Sequence, residues 1–119
     1  MKKVYFRTAG IGADMVSGFC PGCMHNLVFK LIGEVLEEMG LLDQTISVQG
    51  VGCCGLAMEY VTYDNTTAPH GRACAVATGI KRTNPDKLVY TYQGDGDLAS
   101  IGLAESMSAA NRGENITVI

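Results

Sequence analysis

Apolar residues at helical spacing mark one long helix in the first third of the chain. Two sets recur every four positions between residues 24 and 39: Leu27, Leu31 and Val35, and beside them Val28, Ile32 and Leu36. Two adjacent rows of this period predict an amphipathic helix with a broad apolar face, which Gly40 ends. Three methionines follow apolar helix faces and are predicted to lie in the core: Met24, Met39 and Met107.

The rest of the chain alternates between strand and helix patterns. Short runs of β-branched, aromatic or alternating residues predict strands over residues 45–49, 87–93 and 116–119. An alanine-rich stretch predicts a helix over residues 73–80, stopped by Asn84-Pro85, and residues 98–111 predict another. Residues 56–69 have no clear pattern. Strands that alternate with helices favour an α/β fold with a parallel sheet.

Composition narrows the class of protein. The 119 residues include 47% apolar and 18% charged residues, which suits one folded domain and excludes a disordered chain. A net charge of −3 without a basic cluster argues against nucleic acid as a partner. No leader-like or membrane-spanning apolar run is visible, so we predict a cytoplasmic protein without a membrane partner. Residues 1–19, broken up by glycines, are predicted to form an extended arm ahead of a domain over residues 20–119.

An acidic, glycine-rich motif, Gly94-Asp95-Gly96-Asp97, follows a predicted strand and precedes a predicted helix. Ligands of parallel sheets bind beyond the carboxyl ends of strands, and a glycine-rich helix start favours an anion. Two aspartates would repel a bare diphosphate, but a Mg²⁺ ion between them removes that conflict. The alternative is an ordinary turn in which Asp and Gly satisfy the backbone geometry.

Two loops carry pairs of cysteines. Cys20 and Cys23 form a CxxC motif before the first helix, and Cys53-Cys54 follows the first strand. Because thiols stay reduced in the cytoplasm, these residues suggest a zinc ion or an iron–sulfur cluster, with a redox-active dithiol and incidental thiols as alternatives. Neighbouring side chains point apart, so the ligand set looks one member short. Cys74 is predicted to be a small core residue.

Each of the two histidines lies near a predicted helix start. His25 follows the CxxC motif by two residues and is a candidate ligand, a neighbour of a cluster or a polar group at the helix start. His70 precedes Gly71-Arg72 and is a candidate for contact with a phosphate or carboxylate. An ordinary helix start explains it equally well.

Four motifs in order resemble one known family. They are residues 19–25 (FCPGCMH), residues 50–53 (GVGC), residues 70–81 (HGRACAVATGIK) and residues 94–97 (GDGD). Their order and spacing resemble the thiamine-diphosphate-binding β subunit of 2-oxoacid:ferredoxin oxidoreductases, and among these the branched-chain (2-oxoisovalerate) type. The resemblance implies a three-layer thiamine-diphosphate-binding fold with a mostly parallel sheet, incomplete in this chain. It also implies oxidative decarboxylation of a 2-oxo acid, with electrons passing through a [4Fe–4S] cluster to ferredoxin and the acyl group passing to coenzyme A.

The same resemblance implies roles for individual residues. Asp95 binds the Mg²⁺ that holds the diphosphate of the cofactor, and His70 lies near the substrate or diphosphate as the catalytic residue. Cys20, Cys23 and Cys53 ligate the [4Fe–4S] cluster. The other cofactor-binding residues are Gly94, Gly96, Asp97, Gly52 and Cys53. Further subunits of the oxidoreductase are the expected protein partners.

The chain also departs from the family pattern. Met24 replaces a usual glycine, and Leu56 stands where several relatives carry a basic side chain, which weakens the case for a second carboxylate on the substrate. The asparagine pair and the fourth cluster cysteine of the family lie outside these 119 residues. We therefore expect the amino-terminal part of a longer subunit, inactive alone. The competing hypotheses are a non-catalytic zinc- or iron–sulfur-binding module that acts through a partner, and a cluster-free thiamine-diphosphate decarboxylase.

Overall fold

Four strands form one parallel sheet in the structure, a computed structural model that describes residues 7–119. The strands are β1 (Thr45–Gln49), β2 (Asp64–Thr67), β3 (Leu88–Tyr92) and β4 (Thr117–Val118), in the spatial order β2-β1-β3-β4. Val48 of β1 lies opposite Thr66 of β2 and Thr91 of β3, which fixes the register of the two central strands. The alternation of strands and helices predicted a parallel sheet, and this prediction is confirmed.

Helices cover both faces of this sheet. They are α1 (Met24–Glu38), α2 (Ala73–Thr83) and α3 (Leu103–Asn111). Side chains of α1 share one core with Tyr90 and Tyr92, whereas side chains of α2 share a second core with Val48 and Val89. Because successive strand residues point to opposite faces, β3 contributes to both cores. The predicted three-layer α/β architecture is therefore confirmed. None of the helices within residues 7–119 is long and apolar enough to cross a membrane.

Helix α1 ends as its sequence predicts, but it buries less of its apolar face. Gly40 takes a φ of +66°, and the N–H groups of Gly40 and Leu41 bond back to the Glu37 and Leu36 carbonyls. This glycine-terminated geometry satisfies the last carbonyls of the helix. The row Leu27, Leu31 and Val35 stays about half exposed. The predicted burial of Met24, Met39 and Met107 is wrong, since they are 66%, 58% and 63% exposed.

Two elements differ from the predicted pattern. Strand β2 has the polar sequence Asp-Asn-Thr-Thr, which lacks the apolar alternation typical of a strand. A polar sequence is tolerated here because β2 lies at the edge of the sheet. The predicted helix over residues 98–111 begins earlier, as a π-helical segment over Gly96–Ile101, and α3 follows after Gly102. Backbone segments lie very close together there, because a Cβ on Gly102 would lie 2.4 Å from the Asp97 carbonyl oxygen.

Residues 7–19 contain no helix. They form one isolated antiparallel β-bridge, in which Ile11 pairs with Val61. A Cβ on Gly10 would lie 2.7 Å from the Gly33 Cα, so this segment lies directly on α1. The division into an arm over residues 1–19 and a domain over residues 20–119 stays a prediction, and residues 1–6 lie outside the described part of the chain.

Candidate functional site

Three loops meet at the carboxyl edge of the sheet, and the Asp97 carboxylate joins them. We call these the carboxyl-edge loops: residues 50–53 after β1, residues 68–72 after β2 and residues 93–97 after β3. Asp97 Oδ1 accepts hydrogen bonds from the N–H groups of Val51 (3.2 Å) and Gly71 (2.9 Å) and contacts His70 Nδ1. Its other oxygen, Oδ2, accepts a hydrogen bond from the Gln93 amide. One buried side chain, 2% exposed, therefore ties together the ends of three parallel strands.

The surroundings of Asp97 keep its carboxylate ionised. Burial by itself raises the pKa of a carboxyl group. Hydrogen bonds from the Gly71 N–H, the Gln93 side chain, the Val51 N–H and His70 outweigh that effect, so the pKa of Asp97 lies below its ordinary value. A charged acceptor with this many donors makes stronger hydrogen bonds than a neutral one.

Glycines make the close approach of these loops possible. A Cβ on Gly50, the first residue after β1, would lie 2.4 Å from Asp97 Oδ2. Gly71, after β2, takes a φ of +75°, and a Cβ there would lie 2.8 Å from the Gly102 nitrogen. A side chain at either position would force its neighbours to shift, since real Cβ atoms do not approach other atoms so closely.

The predicted catalytic residue, His70, lies at this edge. Its Nδ1 contacts the Asp97 carboxylate, while 45% of its side chain is exposed. Among residues 7–119 its other ring nitrogen, Nε2, has no hydrogen-bond partner. A histidine with one nitrogen on a carboxylate and the other open has the arrangement of a positioned base or hydrogen-bond acceptor.

Asp95, the predicted Mg²⁺ ligand, lies on the outer side of the same turn. Asp95, Gly94 and Gly96 are all exposed, and Cβ atoms on the two glycines would meet nothing within 4 Å. Mg²⁺ in phosphate sites is held by one or two carboxylates together with the phosphates of the ligand. An open turn with one exposed carboxylate between two glycines fits that requirement. Asp97 was predicted to line this turn, but its carboxylate points into the protein, because the three loops supply it with donors there.

The predicted cluster ligands differ in their exposure. Cys20 and Cys53 are exposed and Cys23 is half-buried. Within residues 7–119 no three His, Cys, Asp or Glu side chains are grouped as metal ligands. In this arrangement the thiols do not form a zinc site with four protein ligands, and ligation of an iron–sulfur cluster by Cys20, Cys23 and Cys53 stays a prediction. Gly52, beside Cys53, is exposed with a φ of +142° in the loop after β1.

The remaining thiols are buried in the protein. Cys54 donates to the Gly50 carbonyl (3.3 Å), and burial, followed by the charge of Asp97, raises the pKa of its thiol. Cys74 is buried as predicted and contacts Gln93 Oε1 at 3.4 Å. Gln93, which bridges Cys74 and Asp97, was missed by sequence reasoning. The available signal was a polar residue at the end of an apolar strand, next to the Gly-Asp-Gly-Asp motif.

His25 belongs to an aromatic cluster rather than to a group of ligands. Its Nδ1 lies 2.7 Å from the Tyr92 hydroxyl, and its ring lies 5.1 Å from the ring of Phe19. Burial, followed by the charges of Cys54 and Cys23, raises the pKa of Tyr92. These aromatic side chains therefore connect α1 and the CxxC turn to the carboxyl end of β3.

Comparison with known proteins identifies the family. Residues 50–119 match the model of the thiamine pyrophosphate enzyme, C-terminal TPP binding domain, and this stretch contains all three carboxyl-edge loops. The ketoisovalerate oxidoreductase subunit VorA of Methanothermobacter thermautotrophicus is 46% identical over 113 residues, covering 95% of this chain and 24% of the relative. The 2-oxoglutarate synthase subunit KorB of Methanocaldococcus jannaschii is 38% identical over 102 residues, covering 85% of this chain and 38% of the relative.

A solved structure has the same fold. A chain of the 2-oxoglutarate:ferredoxin oxidoreductase from Magnetococcus marinus, with 2-oxoglutarate, coenzyme A and succinyl-CoA bound, superposes with a TM-score of 0.83 at 30% identity. The match covers 91% of this chain and 38% of that one. The chain thus spans about a quarter to two fifths of the length of these relatives. It belongs to the thiamine pyrophosphate enzymes with the C-terminal TPP-binding domain, and it resembles the subunits of 2-oxoacid:ferredoxin oxidoreductases.

Proposed function

We propose that the carboxyl-edge loops form the diphosphate-binding part of a thiamine-diphosphate site in an enzyme that oxidatively decarboxylates a 2-oxo acid. The observation that carries this proposal is the family match over residues 50–119, which spans the three loops that Asp97 joins. Thiamine diphosphate, when bound, supplies the carbanion-stabilising chemistry that decarboxylation of a 2-oxo acid requires.

The residues of this chain have separate tasks in that site. Asp95 holds Mg²⁺ through its exposed carboxylate, and Gly94 and Gly96 leave room for the diphosphate beside the backbone. His70 offers Nε2 as a hydrogen-bond acceptor or base at the same edge. Asp97 keeps the loops together from inside the protein.

The identities support a branched-chain 2-oxo acid as the substrate. Two ketoisovalerate oxidoreductase subunits are 46% and 45% identical to this chain, against 38% for a 2-oxoglutarate synthase subunit. Leu56 lies exposed, just after the loop that follows β1, and offers no charge to a second carboxylate. We further propose that other oxidoreductase subunits, coenzyme A and ferredoxin take part in the complete reaction, in the cytoplasm.

Binding of the cofactor tests the proposal directly. We expect Mg²⁺–thiamine diphosphate to shift the ¹⁵N–¹H NMR signals of residues 94–97 and 70–71, in a titration that extends to millimolar ligand. Thiamine without its diphosphate should shift none of them.

Asp95→Asn should weaken binding at least tenfold, equivalent to ~1.4 kcal/mol. Asp86→Asn is the matched control, because Asp86 is an exposed aspartate that precedes β3, at the opposite edge of the sheet. Equal affinities for the two variants would reject the role of Asp95.

Ligation of a [4Fe–4S] cluster by Cys20, Cys23 and Cys53 stays a prediction from the resemblance, and no electron-transfer step is assigned to these thiols. Iron and sulfide analysis of the chain, purified without oxygen, tests it. Iron that is lost in both Cys20→Ser and Cys23→Ser but kept in Cys74→Ser would support the ligand set. Stoichiometric zinc in place of iron would favour the non-catalytic module instead.

A further inference from the structure

The Asp97 carboxylate is buried, and groups of this chain contact both of its oxygens. Four donors from three loops contact it: the Val51 and Gly71 N–H groups and His70 at Oδ1, and the Gln93 amide at Oδ2. The side chain is 2% exposed. It therefore neither coordinates a cation on the outer face of the turn nor repels an anion there at contact distance. Its partners are all groups of this chain.

This environment determines how His70 is protonated when its ring is neutral. An ionised carboxylate only accepts hydrogen bonds, so Nδ1 of His70 must carry the proton in that contact. A neutral imidazole carries one proton, and Nε2 then presents a lone pair. The His70 side chain is 45% exposed, so the ring is accessible to solvent at the carboxyl edge.

The backbone of two other loops fixes the carboxylate itself. Val51 N–H and Gly71 N–H bond to Oδ1, the same oxygen that His70 contacts, and Gln93 holds Oδ2. Rotation of the Asp97 side chain would break all of these bonds at once. The direction of the His70 ring is thus determined by the loops after β1 and β3 as well as by its own loop.

We propose that Asp97 is a positioning residue, which holds His70 with Nδ1 protonated and Nε2 free as the acceptor at the carboxyl edge. What His70 acts on in the reaction rests on the proposed function. The protonation state of its two nitrogens does not, and it is measured without cofactor.

Imidazole ¹⁵N NMR of the chain tests this proposal. The spectrum is recorded about two units above the ordinary histidine pKa of ~6.5, a condition that favours neutral imidazole. The chain has two histidines, so His25, bonded to Tyr92, serves as the internal control, and His70→Asn assigns the signals. We expect wild-type His70 to show a protonated Nδ1 and an unprotonated Nε2. Asp97→Asn should keep this pattern, because its amide oxygen still accepts from Nδ1. Asp97→Ala should shift His70 toward the other tautomer several-fold and leave the His25 signals unchanged.

Two results would overturn the proposal. One is a wild-type His70 protonated at Nε2, and the other is an Asp97→Ala chain whose His70 tautomer equals that of wild type while His25 reports the native fold. If Asp97→Ala loses the His25 signals as well, the wild-type and Asp97→Asn spectra decide. Failure to bind thiamine diphosphate would reject the proposed function and leave these spectra as they are, so the two failures are distinguishable.

Discussion

Gly50→Ala is the substitution that most directly probes how tightly the carboxyl-edge loops are packed. Gly50 is buried, donates its N–H to the Tyr92 carbonyl (3.1 Å) and faces the Asp97 carboxylate. Its φ is not in the left-handed region, so alanine at this position would clash with neighbouring atoms without straining its own backbone. The added methyl group therefore measures the space between the loops after β1 and β3.

The cost follows from the distances. The new Cβ would lie 2.4 Å from Asp97 Oδ2 and 2.9 Å from its Cγ, so the oxygen must retreat by about 0.6 Å to reach even 3.0 Å. Overpacking of this kind costs ~1–3 kcal/mol, and a weakened hydrogen bond to a charged group costs a further ~1.5–3 kcal/mol. Replacing glycine lowers the entropy of the unfolded chain and returns ~0.5–1 kcal/mol. We expect Gly50→Ala to lower the free energy of unfolding by about 2–4 kcal/mol.

Urea unfolding followed by circular dichroism measures this difference. Gly79→Ala is the matched control, because Gly79 lies exposed in α2 with nothing within 4 Å of an added Cβ. The same chemical change should there raise the free energy of unfolding by ~1 kcal/mol through helix propensity. A Gly50→Ala chain as stable as wild type would refute the close packing of the carboxylate against β1.

Three further predictions concern the core and the carboxylate. Phe29→Ala removes a fully buried ring whose centroid lies 4.6 Å from that of Tyr92 in a tilted arrangement, and it should lower the free energy of unfolding by ~3–5 kcal/mol in the same urea assay. Leu27→Ala, on the exposed row, should change it by less than ~1 kcal/mol. Tyr63→Phe removes one partner of the buried Tyr63–Tyr90 hydroxyl pair (2.8 Å) and should cost ~1–3 kcal/mol, while Tyr60→Phe, whose hydroxyl has no partner within residues 7–119, should cost nothing. Because the pKa of Asp97 lies below its ordinary value, its stabilisation is complete above about pH 4 and is lost as the pH falls through the folded-state pKa. Wild type should therefore lose more stability than Asp97→Asn on acidification, and parallel pH profiles of the two chains would contradict this assignment.

The local sequence pattern was sufficient to predict β1 and α1. Strand β1 lies where its alternation predicts, and α1 begins and ends within one residue of its predicted bounds, because Gly40 terminates it. Strand β2 was not predicted, because an edge strand pairs with a neighbour on one side only and needs few apolar residues. The exposure of Met39 was not predictable either, since an apolar pattern shows that a face is apolar without showing what covers it.

The candidate site was predictable as a set of loops and not as a set of contacts. Strand order places the residues after β1, β2 and β3 at one edge, so the meeting of Gly50, His70 and the Gly-Asp-Gly-Asp turn follows from topology. Which of two aspartates turns inward depends on the backbone donors of two distant loops. No local pattern contains that information. The CxxC motif predicted a metal centre from spacing alone, and the described thiols are not gathered into one.

The two aspartates of the turn resolve an electrostatic conflict by pointing in opposite directions. Residues two apart at the start of a helix do not share a face, so Asp95 and Asp97 cannot both line one side of it. Asp97 turns inward, where hydrogen-bond donors from three loops stabilise its charge, and Asp95 stays exposed between two open glycines. A diphosphate at this turn would therefore approach one exposed carboxylate rather than two. A single Mg²⁺ ion would suffice to offset the repulsion between the diphosphate and Asp95. On this reasoning Asp95→Asn reduces the dependence of binding on Mg²⁺, whereas Asp97→Asn leaves that dependence in place and changes the stability of the loops.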